Sequence, residues 1–412
     1  MEPVLFSGTY WNKSLKIRSI DYANCNDFKL RSLYSIKIIL HLFRNRLSFA
    51  TQTIKMLKSI FRILTAALFL IFFYQTAVCQ ISNPSGDIKK APDQLIWAQT
   101  LEGSYFNEFW NYQFYFDNGM KAHIVFSVAN FGSLKSPVSG VRVSVYDHNG
   151  ELYQLSREYP IERLVQDKDN HRFQLHPERE VFFEGKLPHQ HRIVINTSKD
   201  GVHYDIDLSL KNISQAVMLG DGIFNVDSEK IGIVAHIPFA EAAGHVSINN
   251  NKKRVTGTAY MDHTFQNQTT TRLMHSGYRF VNHLDQENWD ILYFMLPKNS
   301  TNNRTIGYRV VKSGNNVSMT GVKRIEQLHR GRAFNTSVPR IVELRLEDDS
   351  TLRISRTEDQ EKFSILSELG WLARRAARSF LGGEVIDFRG EATLQESSHR
   401  PKPGDYNFFL VD

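Results

Sequence analysis

The sequence predicts an all-β protein made of two consecutive antiparallel β-barrels, with one amphipathic helix near the C-terminus. Most of the 333 residues that follow Cys79 fall into short runs rich in β-branched and aromatic residues, which are typical of strands. Asp-Asn-Gly at 117–119 and His-Asn-Gly at 148–150 are strong hairpin-turn signals. One segment, residues 363–381, has helical spacing instead. Many short strands joined by tight turns favour barrels.

Residues 56–79 have the pattern of a secretory signal peptide. Lys58 and Arg62 form a basic start, residues 63–74 are apolar, and the small residues within 77–79 permit cleavage after Cys79. The apolar run is short for a membrane span, which needs roughly 20 residues. We therefore predict a protein that is secreted or periplasmic.

Because this signal is internal, we interpret residues 1–55 as an extension upstream of a true start at Met56. One alternative is a long N-terminal region followed by a retained membrane anchor. Another is a lipid anchor on Cys79. We favour it less because Val78 and Thr76 fit a lipoprotein signal poorly.

The basic charge of the chain comes from its first segment. Residues 1–79 hold 11 of the 50 Lys and Arg but only 3 of the 43 Asp and Glu, which leaves 39 basic and 40 acidic residues after Cys79. A nearly neutral body gives no support for nucleic-acid binding. Both cysteines, Cys25 and Cys79, also precede the body, so we expect no disulfide and no thiolate chemistry there.

Strands are predicted along both halves of the body. The clearest are residues 112–116, 121–128, 141–146, 203–210, 290–296, 305–311, 340–346, 351–355 and 384–394. We place the joint between the barrels in the polar turn near residue 250. The predicted domains are therefore an N-terminal barrel, residues 80–250, and a C-terminal barrel, residues 251–412.

The predicted helix, residues 363–381, spaces its apolar side chains at intervals of three and four. These are Ile365, Leu366, Leu369, Leu372, Ala376 and Phe380. Two glycines, 382 and 383, end the helix. We expect Arg374, Arg375 and Arg378 to form its polar face, which we interpret as solvated. The alternative is an anion or membrane-surface site.

Three polar groups crowd the end of a strand at residues 255–265. Side chains alternate along a strand, so Tyr260 and Asp262 point one way and His263 points the other. A carboxylic acid in apolar surroundings stays protonated near neutrality and can act as a general acid, with Tyr260 or His263 accepting a proton. The competing interpretation is a hydrogen-bonded Asp262–His263 pair that only fixes the strand end.

Aromatic residues that follow this motif are candidates for ligand binding, because their rings stabilise a cationic intermediate by cation–π attraction. They are Tyr278, Phe280, Trp289, Tyr293 and Phe294. Arg279 lies on the opposite face from Tyr278 and Phe280. We expect it to face outward, or else to pair with Asp262 or Asp290.

The histidines suggest no metal site. His189 and His191 are two apart, with His171 and His176 nearby, but no third ligand has convincing spacing. Pro188 favours a surface turn at this point. No phosphate loop or nucleotide fingerprint is present. We therefore predict no metal and no cofactor.

The central motif is Gly257-Thr258-Ala259-Tyr260-Met261-Asp262-His263. It resembles the Gly-x-x-Tyr-x-Asp-His core of the lipocalin-like superfamily of carotenoid hydratases (hydroxyneurosporene synthase, CrtC) and AttH proteins. The aromatic-rich segment 101–110 and Phe-Asp-Asn-Gly at 116–119 are similar to the entry of that family's first barrel. Residues 220–222, 237–240 and 244–246 fit the approach to the motif. The resemblance covers roughly residues 95–412.

The resemblance implies two lipocalin-like (calycin-type) barrels with a site near their junction, and an isoprenoid, polyene or lipid-like ligand. Two hypotheses about function follow. The first is a cofactor-independent hydro-lyase or isomerase/cyclase with Asp262 as acid. The second is a non-catalytic lipid-binding or carrier protein with Asp262–His263 as a structural clasp. Peripheral contact with a membrane and the oligomeric state stay open, as does a structural role without a cavity.

Overall fold

The structure is a computed structural model that describes residues 61, 65, 80–147, 149–364, 366, 370–397 and 399–412. Residues 78–412 form one compact unit, to which the following description applies. The predicted extension, residues 1–55, lies outside the described residues. So do Cys79 and nearly all of the predicted signal peptide, together with His148 of a predicted turn.

The described residues form 23 antiparallel β-strands. These are β1 (Ile81–Ser82), β2 (Ile88–Lys90), β3 (Tyr105–Phe116), β4 (Lys121–Phe131), β5 (Val138–Tyr146), β6 (Leu152–Pro160), β7 (Val165–Asp167), β8 (Arg172–Gln174), β9 (Val181–Glu184), β10 (His191–Lys199), β11 (Val202–Lys211), β12 (Val217–Leu219), β13 (Ile223–Val226), β14 (Glu229–Ile248), β15 (Asn251–Gln266), β16 (Met274–Asp285), β17 (Asn288–Pro297), β18 (Ile306–Ser313), β19 (Asn316–Ala333), β20 (Thr336–Leu346), β21 (Thr351–Ser364), β22 (Val385–Glu396) and β23 (Lys402–Val411).

Helices are few in the described part of the chain. The α-helices are α1 (Thr270–Leu273) and α2 (Trp371–Leu381), and the 3-10 turns are Asp93–Ile96, Gly132–Leu134, Ile161–Arg163 and Thr301–Asn303. Within these residues, no helix has both the length and the apolar character to cross a membrane. The predicted all-β class with one late helix is confirmed.

The first fifteen strands form one large curled sheet. Its main path runs β6-β5-β4-β3-β15-β14-β11-β10-β9-β8-β7, and β12 and β13 pair with β14 as well. One side chain in two along β3 points into the concave face, where Trp110, Tyr112 and Phe114 are buried with Phe126 of β4 and Phe183 of β9. We call this cluster the sheet core.

The last eight strands close into an antiparallel barrel, β16 to β23, in which β23 pairs back with β16. Its interior is filled by apolar side chains, among them Tyr278, Phe280, Leu292 and Phe388. We call this cluster the barrel core. A third apolar cluster, the interface core, lies between sheet and barrel and includes Tyr260, Ile291 and Tyr293.

The polar turn near residue 250 joins β14 and β15 as a hairpin of the curled sheet, with Ile248 opposite Asn251. The change from sheet to barrel occurs later, between Gln266 and Met274. The strands predicted on either side of this turn coincide with described strands, except that residues 305 and 384 lie one position before β18 and β22 begin.

The helix differs from its prediction in both extent and orientation. Phe363 and Ser364 end β21, and the helix begins only at Trp371. Gly382 ends it with a φ of 78°, a left-handed conformation that glycine adopts without strain. Residues 365 and 367–369 of the predicted helix lie outside the described residues.

The apolar face of α2, which was expected to pack against the rest of the protein, is exposed instead. Leu372 is 71% exposed and Phe380 is 56% exposed. Arg374 and Arg378, expected in solvent, form ion pairs with Glu384, which is buried, while 37% of each arginine side chain stays exposed. The arginine face is therefore only partly solvated. The buried carboxylate explains it, because a buried charge is stable only when paired.

Candidate functional site

The motif strand β15 separates two environments, as its alternation predicts. Asp262 and His263 are both fully buried. Asp262 points toward the barrel and His263 toward the sheet core, where its ring stacks on Trp110 with 4.3 Å between centroids. The proposed hydrogen-bonded Asp262–His263 pair is therefore not formed, because adjacent residues of a strand point to opposite faces.

Asp262 is held by a bidentate ion pair. Arg279 Nε donates to Oδ2 at 2.6 Å, and Arg279 Nη2 donates to Oδ1 at 2.9 Å. Asn111 Nδ2 adds a third hydrogen bond, to Oδ2 at 3.0 Å. Arg279 thus takes the inward role that the sequence left as its alternative, while Asp290 pairs with Arg309. A carboxylate that accepts on both oxygens suits the orientation of Arg279 better than the donation of a proton.

The ion pair belongs to a closed circuit of polar side chains that crosses from sheet to barrel. We call it the polar ring. Its members are Asn111, His123, Arg142, Asp262, Arg279, Asp387 and Asn407, from β3, β4, β5, β15, β16, β22 and β23. Successive contacts join Asn111 to His123, His123 to Arg142, Arg142 to Asp387, Asp387 to Asn407 and Asn407 to Arg279.

The ring defines the protonation of His123. The side-chain amide of Asn111 donates its N–H to Asp262, so the amide oxygen Oδ1 accepts a hydrogen bond from His123 Nε2–H. His123 Nδ1 is then an acceptor that faces Arg142 Nη2 at 3.5 Å. Burial, followed by the charges of Arg142 and Arg279, lowers the pKa of His123 well below its ordinary value. The imidazole is therefore neutral at pH 7.

The polar ring forms one wall of a cavity of about 240 Å³ between sheet and barrel. The remaining lining is largely apolar and includes Phe109, Val125, Ala129, Met295 and Phe409. We call this space the interface cavity. The alternation of β4 produces it, because odd-numbered residues line the cavity while even-numbered ones enter the sheet core.

A second, smaller pocket of about 50 Å³ lies behind the polar ring, and His123 and Asn407 line both spaces. Its lining includes Gln113, which is 6% exposed and whose Nε2 has no hydrogen-bond partner among the described residues. Glu361 supplies a buried carboxylate whose pKa is raised by burial. A space of this size and polarity suits a few water molecules.

His263 belongs to a separate buried pair. Its Nε2 lies 3.0 Å from Glu108 Oε2, and its Nδ1 lies 2.8 Å from the Leu95 carbonyl oxygen. Because both partners are acceptors, the ring satisfies them only with two N–H groups. Glu108 also accepts from the Gln99 and Thr100 backbone amides. The pair therefore anchors the segment that precedes β3.

Two opposing effects set the pKa of Glu108. Burial raises it, but the hydrogen bond and charge of His263, together with bonds from Thr100 and Gln99, outweigh burial. The pKa of this carboxyl therefore lies below its ordinary value. Glu108 is thus a carboxylate at neutral pH, as its donors require.

The other predicted site residues lie in different places. Tyr260 is in the interface core together with Tyr308, and burial raises the pKa of its hydroxyl well above the ordinary value. Tyr293 lines the interface cavity, and the guanidinium of Arg279 sits 3.9 Å from its ring centroid.

The remaining four aromatic candidates are buried in apolar clusters and do not line the interface cavity. Tyr278, Phe280 and Phe294 fill the barrel core, and Trp289 lies in the interface core.

The histidine-rich stretch near Pro188 contains one buried member. His191 begins β10, and its Nε2 lies 2.8 Å from the Tyr112 hydroxyl. The expected surface turn is therefore wrong for His191, because the strand turns this side chain inward. In the described part of the chain, no group of three or more His, Cys, Asp or Glu side chains is arranged to hold a metal.

Sequence reasoning missed most of the polar ring. Asn111, His123, Arg142, Asp387 and Asn407 come from five different strands, and only the fold brings them together. One local signal was available. Asn107, Asn111 and Gln113 lie on the same face of a strand whose other residues are aromatic except for Glu108, which marks a polar surface opposite the core.

Comparisons with known proteins identify the fold. An AttH-like protein from Nitrosomonas europaea matches with a TM-score of 0.55 at 12% identity, over 78% of this chain and 97% of that chain. CghA, solved with Sch210972, matches with a TM-score of 0.52 at 10% identity, over 75% and 89%. No protein-family model matches this sequence, nor does any curated protein sequence. The chain has the AttH-type, lipocalin-like fold.

Proposed function

We propose that this protein binds an apolar, oxygen-bearing small molecule in the interface cavity and acts on it as a hydratase or isomerase that needs no cofactor. The observation that carries the proposal is the polar ring, which places the buried guanidinium of Arg279, the carboxylate of Asp387 and the neutral imidazole of His123 on one wall of a largely apolar cavity. CghA, which shares the fold, is solved with a small molecule, Sch210972.

Arg279 is the group best suited to bind an oxygen atom of the ligand. Of its five N–H bonds, two are given to Asp262 and one to Asn407, so two remain without a protein acceptor among the described residues. A carbonyl or hydroxyl oxygen that faces the ring accepts these bonds. The apolar walls then take the rest of the ligand, whose burial supplies binding energy.

The proposed chemistry divides between two side chains. Arg279 stabilises negative charge that develops on the ligand oxygen in the transition state, and Asp262 orients Arg279. In a hydration of a C=C bond conjugated to the ligand carbonyl, His123 Nδ1 takes a proton from water as the water oxygen bonds to the far carbon. The electron pair moves to the carbonyl oxygen beside Arg279, and His123 then returns the proton to the carbon next to the carbonyl. Because His123 also lines the small polar pocket, that pocket is placed to supply the water that a hydration reaction consumes. The general-acid role predicted for Asp262 requires it to leave Arg279.

An isoprenoid or carotenoid ligand is the narrower form of this proposal, and it is supported by the apolar cavity walls and the Gly-x-x-Tyr-x-Asp-His motif. We also propose that the protein is exported, on the basis of the signal-peptide pattern at residues 56–79. A carrier without activity is the second candidate, because it requires the same cavity but no turnover.

The test begins with native mass spectrometry of the full chain after exposure to a lipid extract. We expect one small molecule per chain. Ala129→Trp, which fills the interface cavity, is expected to abolish uptake. Val165→Trp, on the surface strand β7, serves as the matched control and is expected to retain it. Uptake by Ala129→Trp at the wild-type level would contradict the assignment of the cavity.

The captured molecule is then incubated with wild-type protein and with His123→Asn. Conversion by the wild type that His123→Asn loses, with binding retained, supports an enzyme. Binding without conversion by the wild type identifies a carrier instead.

A further inference from the structure

The helix α2 exposes the side that an amphipathic helix normally buries. Trp371, Leu372 and Phe380 are 70%, 71% and 56% exposed, while Arg374 and Arg378 form ion pairs with Glu384 and Asp412. Large exposed apolar groups that gather on one element mark a surface that contacts something else.

The same end of the barrel exposes a further apolar side chain. Phe334, at the turn between β19 and β20, is 47% exposed. The hydrogen bond from Lys362 to Thr336 joins this hairpin to the end of β21, just before α2. Of the eight large hydrophobic residues exposed among the described residues, four therefore lie at one barrel end. We call Phe334, Trp371, Leu372 and Phe380 the apolar end.

Cationic side chains surround the apolar end. Arg330, Arg332 and Arg340 are exposed on the β19–β20 hairpin, Arg375 is exposed on α2, and Arg272 lies on α1, close to Gly382. None of the five forms an ion pair with a carboxylate in the part of the chain that the structure describes. Exposed aromatic and aliphatic groups interspersed with arginines that have no carboxylate partner complement a surface with an anionic outer layer over an apolar interior.

The interface cavity reaches the base of the same helix. Leu381 and Gly383 line the cavity at the end of α2, and Thr271 of α1 lines it beside them. Thr271 Oγ1 donates to the Leu381 carbonyl oxygen at 2.5 Å, which ties the two helices together. An apolar ligand dissolved in a lipid layer at this end is therefore next to the cavity wall.

We propose that the apolar end docks on the anionic surface of a lipid bilayer. Trp371, Leu372 and Phe380 enter the boundary between headgroups and acyl chains, where amphipathic helices bury their apolar face. Arg330, Arg332 and the neighbouring arginines contact lipid phosphates, which attract basic residues near the surface. This docking does not depend on which reaction the cavity carries out.

The first test measures co-sedimentation of the full chain with vesicles of phosphatidylcholine, with and without phosphatidylglycerol. We expect tighter binding to the anionic vesicles, weakened by salt. The double variant Leu372→Glu/Phe380→Glu is expected to lose binding about tenfold or more, since each buried apolar side chain contributes to partition. Leu284→Glu, 67% exposed at the opposite barrel end, is the matched control and is expected to bind as the wild type does.

A second measurement isolates the helix from any binding by residues 1–79. The emission of Trp371 is obtained as the difference between wild type and Trp371→Phe. We expect it to shift to the blue and to be quenched by brominated lipid when anionic vesicles are added. An unchanged Trp371 signal on vesicle-bound protein overturns the proposal.

Three other results also overturn it. A blue-shifted Trp371 without lipid that depends on protein concentration would assign the apolar end to a second copy of the chain. A blue-shifted Trp371 without lipid that is independent of concentration would assign it to residues 1–79 of the same chain. Equal vesicle binding by Leu372→Glu/Phe380→Glu and wild type would contradict the proposal in the same way.

Discussion

Asp262 and His263 are neighbours in sequence, and both are fully buried in ion pairs, yet the two pairs have different partners and surroundings. Asp262 pairs with Arg279 across the junction of sheet and barrel and lies behind the interface cavity. His263 pairs with Glu108 within the sheet and anchors the loop before β3. One residue step along a strand thus separates the candidate site from its scaffold.

The two pairs also differ in how they respond to the loss of one partner. Arginine keeps its charge under all ordinary conditions, so Arg279 without Asp262 stays a buried cation. A histidine side chain, by contrast, has a neutral form, so the loss of its partner need not leave a buried charge. Burial alone therefore does not determine how much stability is lost when one partner of a pair is removed. The cost depends on whether the remaining partner can discharge.

The largest effect is expected for Asp262→Ala. Removal of the carboxylate leaves the guanidinium of Arg279 buried and uncompensated, which costs about 3–5 kcal/mol of unfolding free energy. Urea denaturation followed by circular dichroism measures it. The double variant Asp262→Leu/Arg279→Met removes both charges and should recover most of the loss, because an apolar pair of similar volume is often as stable. Wild-type stability in Asp262→Ala would show that Arg279 is not buried as described.

Glu108→Gln is expected to cost less, about 1–3 kcal/mol, because it weakens hydrogen bonds to the loop without leaving an obligatory buried cation. The same denaturation experiment on the two variants gives the comparison directly. A loss equal to or greater than that of Asp262→Ala would break the distinction between the arginine pair and the histidine pair.

Ligand affinity should distinguish the two pairs, although both are equally buried. Asp262→Asn keeps the shape of the site but frees Arg279 to rotate, so affinity for the ligand captured from lipid extract should fall about tenfold, or 1.4 kcal/mol. Glu108→Gln should leave affinity unchanged, since its pair faces the sheet core. Titration by native mass spectrometry decides. A similar loss in both variants would mean that the affinity reports general destabilisation.

The smallest effect concerns pH. The pKa of Glu108 is lower in the folded protein than in the unfolded chain. Its stabilising contribution is therefore fully present above the unfolded pKa, which is near 4.5, and is lost as pH falls through the lower folded pKa. The stability difference between wild type and Glu108→Gln should shrink as pH falls below about 4.5. Denaturation curves over this acid range check the sign, and a growing difference would contradict it.

Strand positions and side-chain faces were predictable because they depend on local alternation. Tyr260 and Asp262 share a face and His263 takes the other, as the period of two requires. The hairpin turn at 117–119, the late helix and its glycine end follow from similarly local signals. Such features need only the few residues that form them.

The partners of those side chains depend on contacts between distant strands. Asp262 meets Arg279 and Asn111, which come from 17 and 151 residues away, and no local pattern specifies that register. The orientation of α2 has a similar cause. Its spacing predicted an apolar face but not the side on which that face lies, because buried Glu384 draws Arg374 and Arg378 inward. The sequence by itself therefore determined on which side of its own strand each side chain lies. Only the packing of sheet against barrel decided which of them meet, because that packing sets which charges lose water and must be paired.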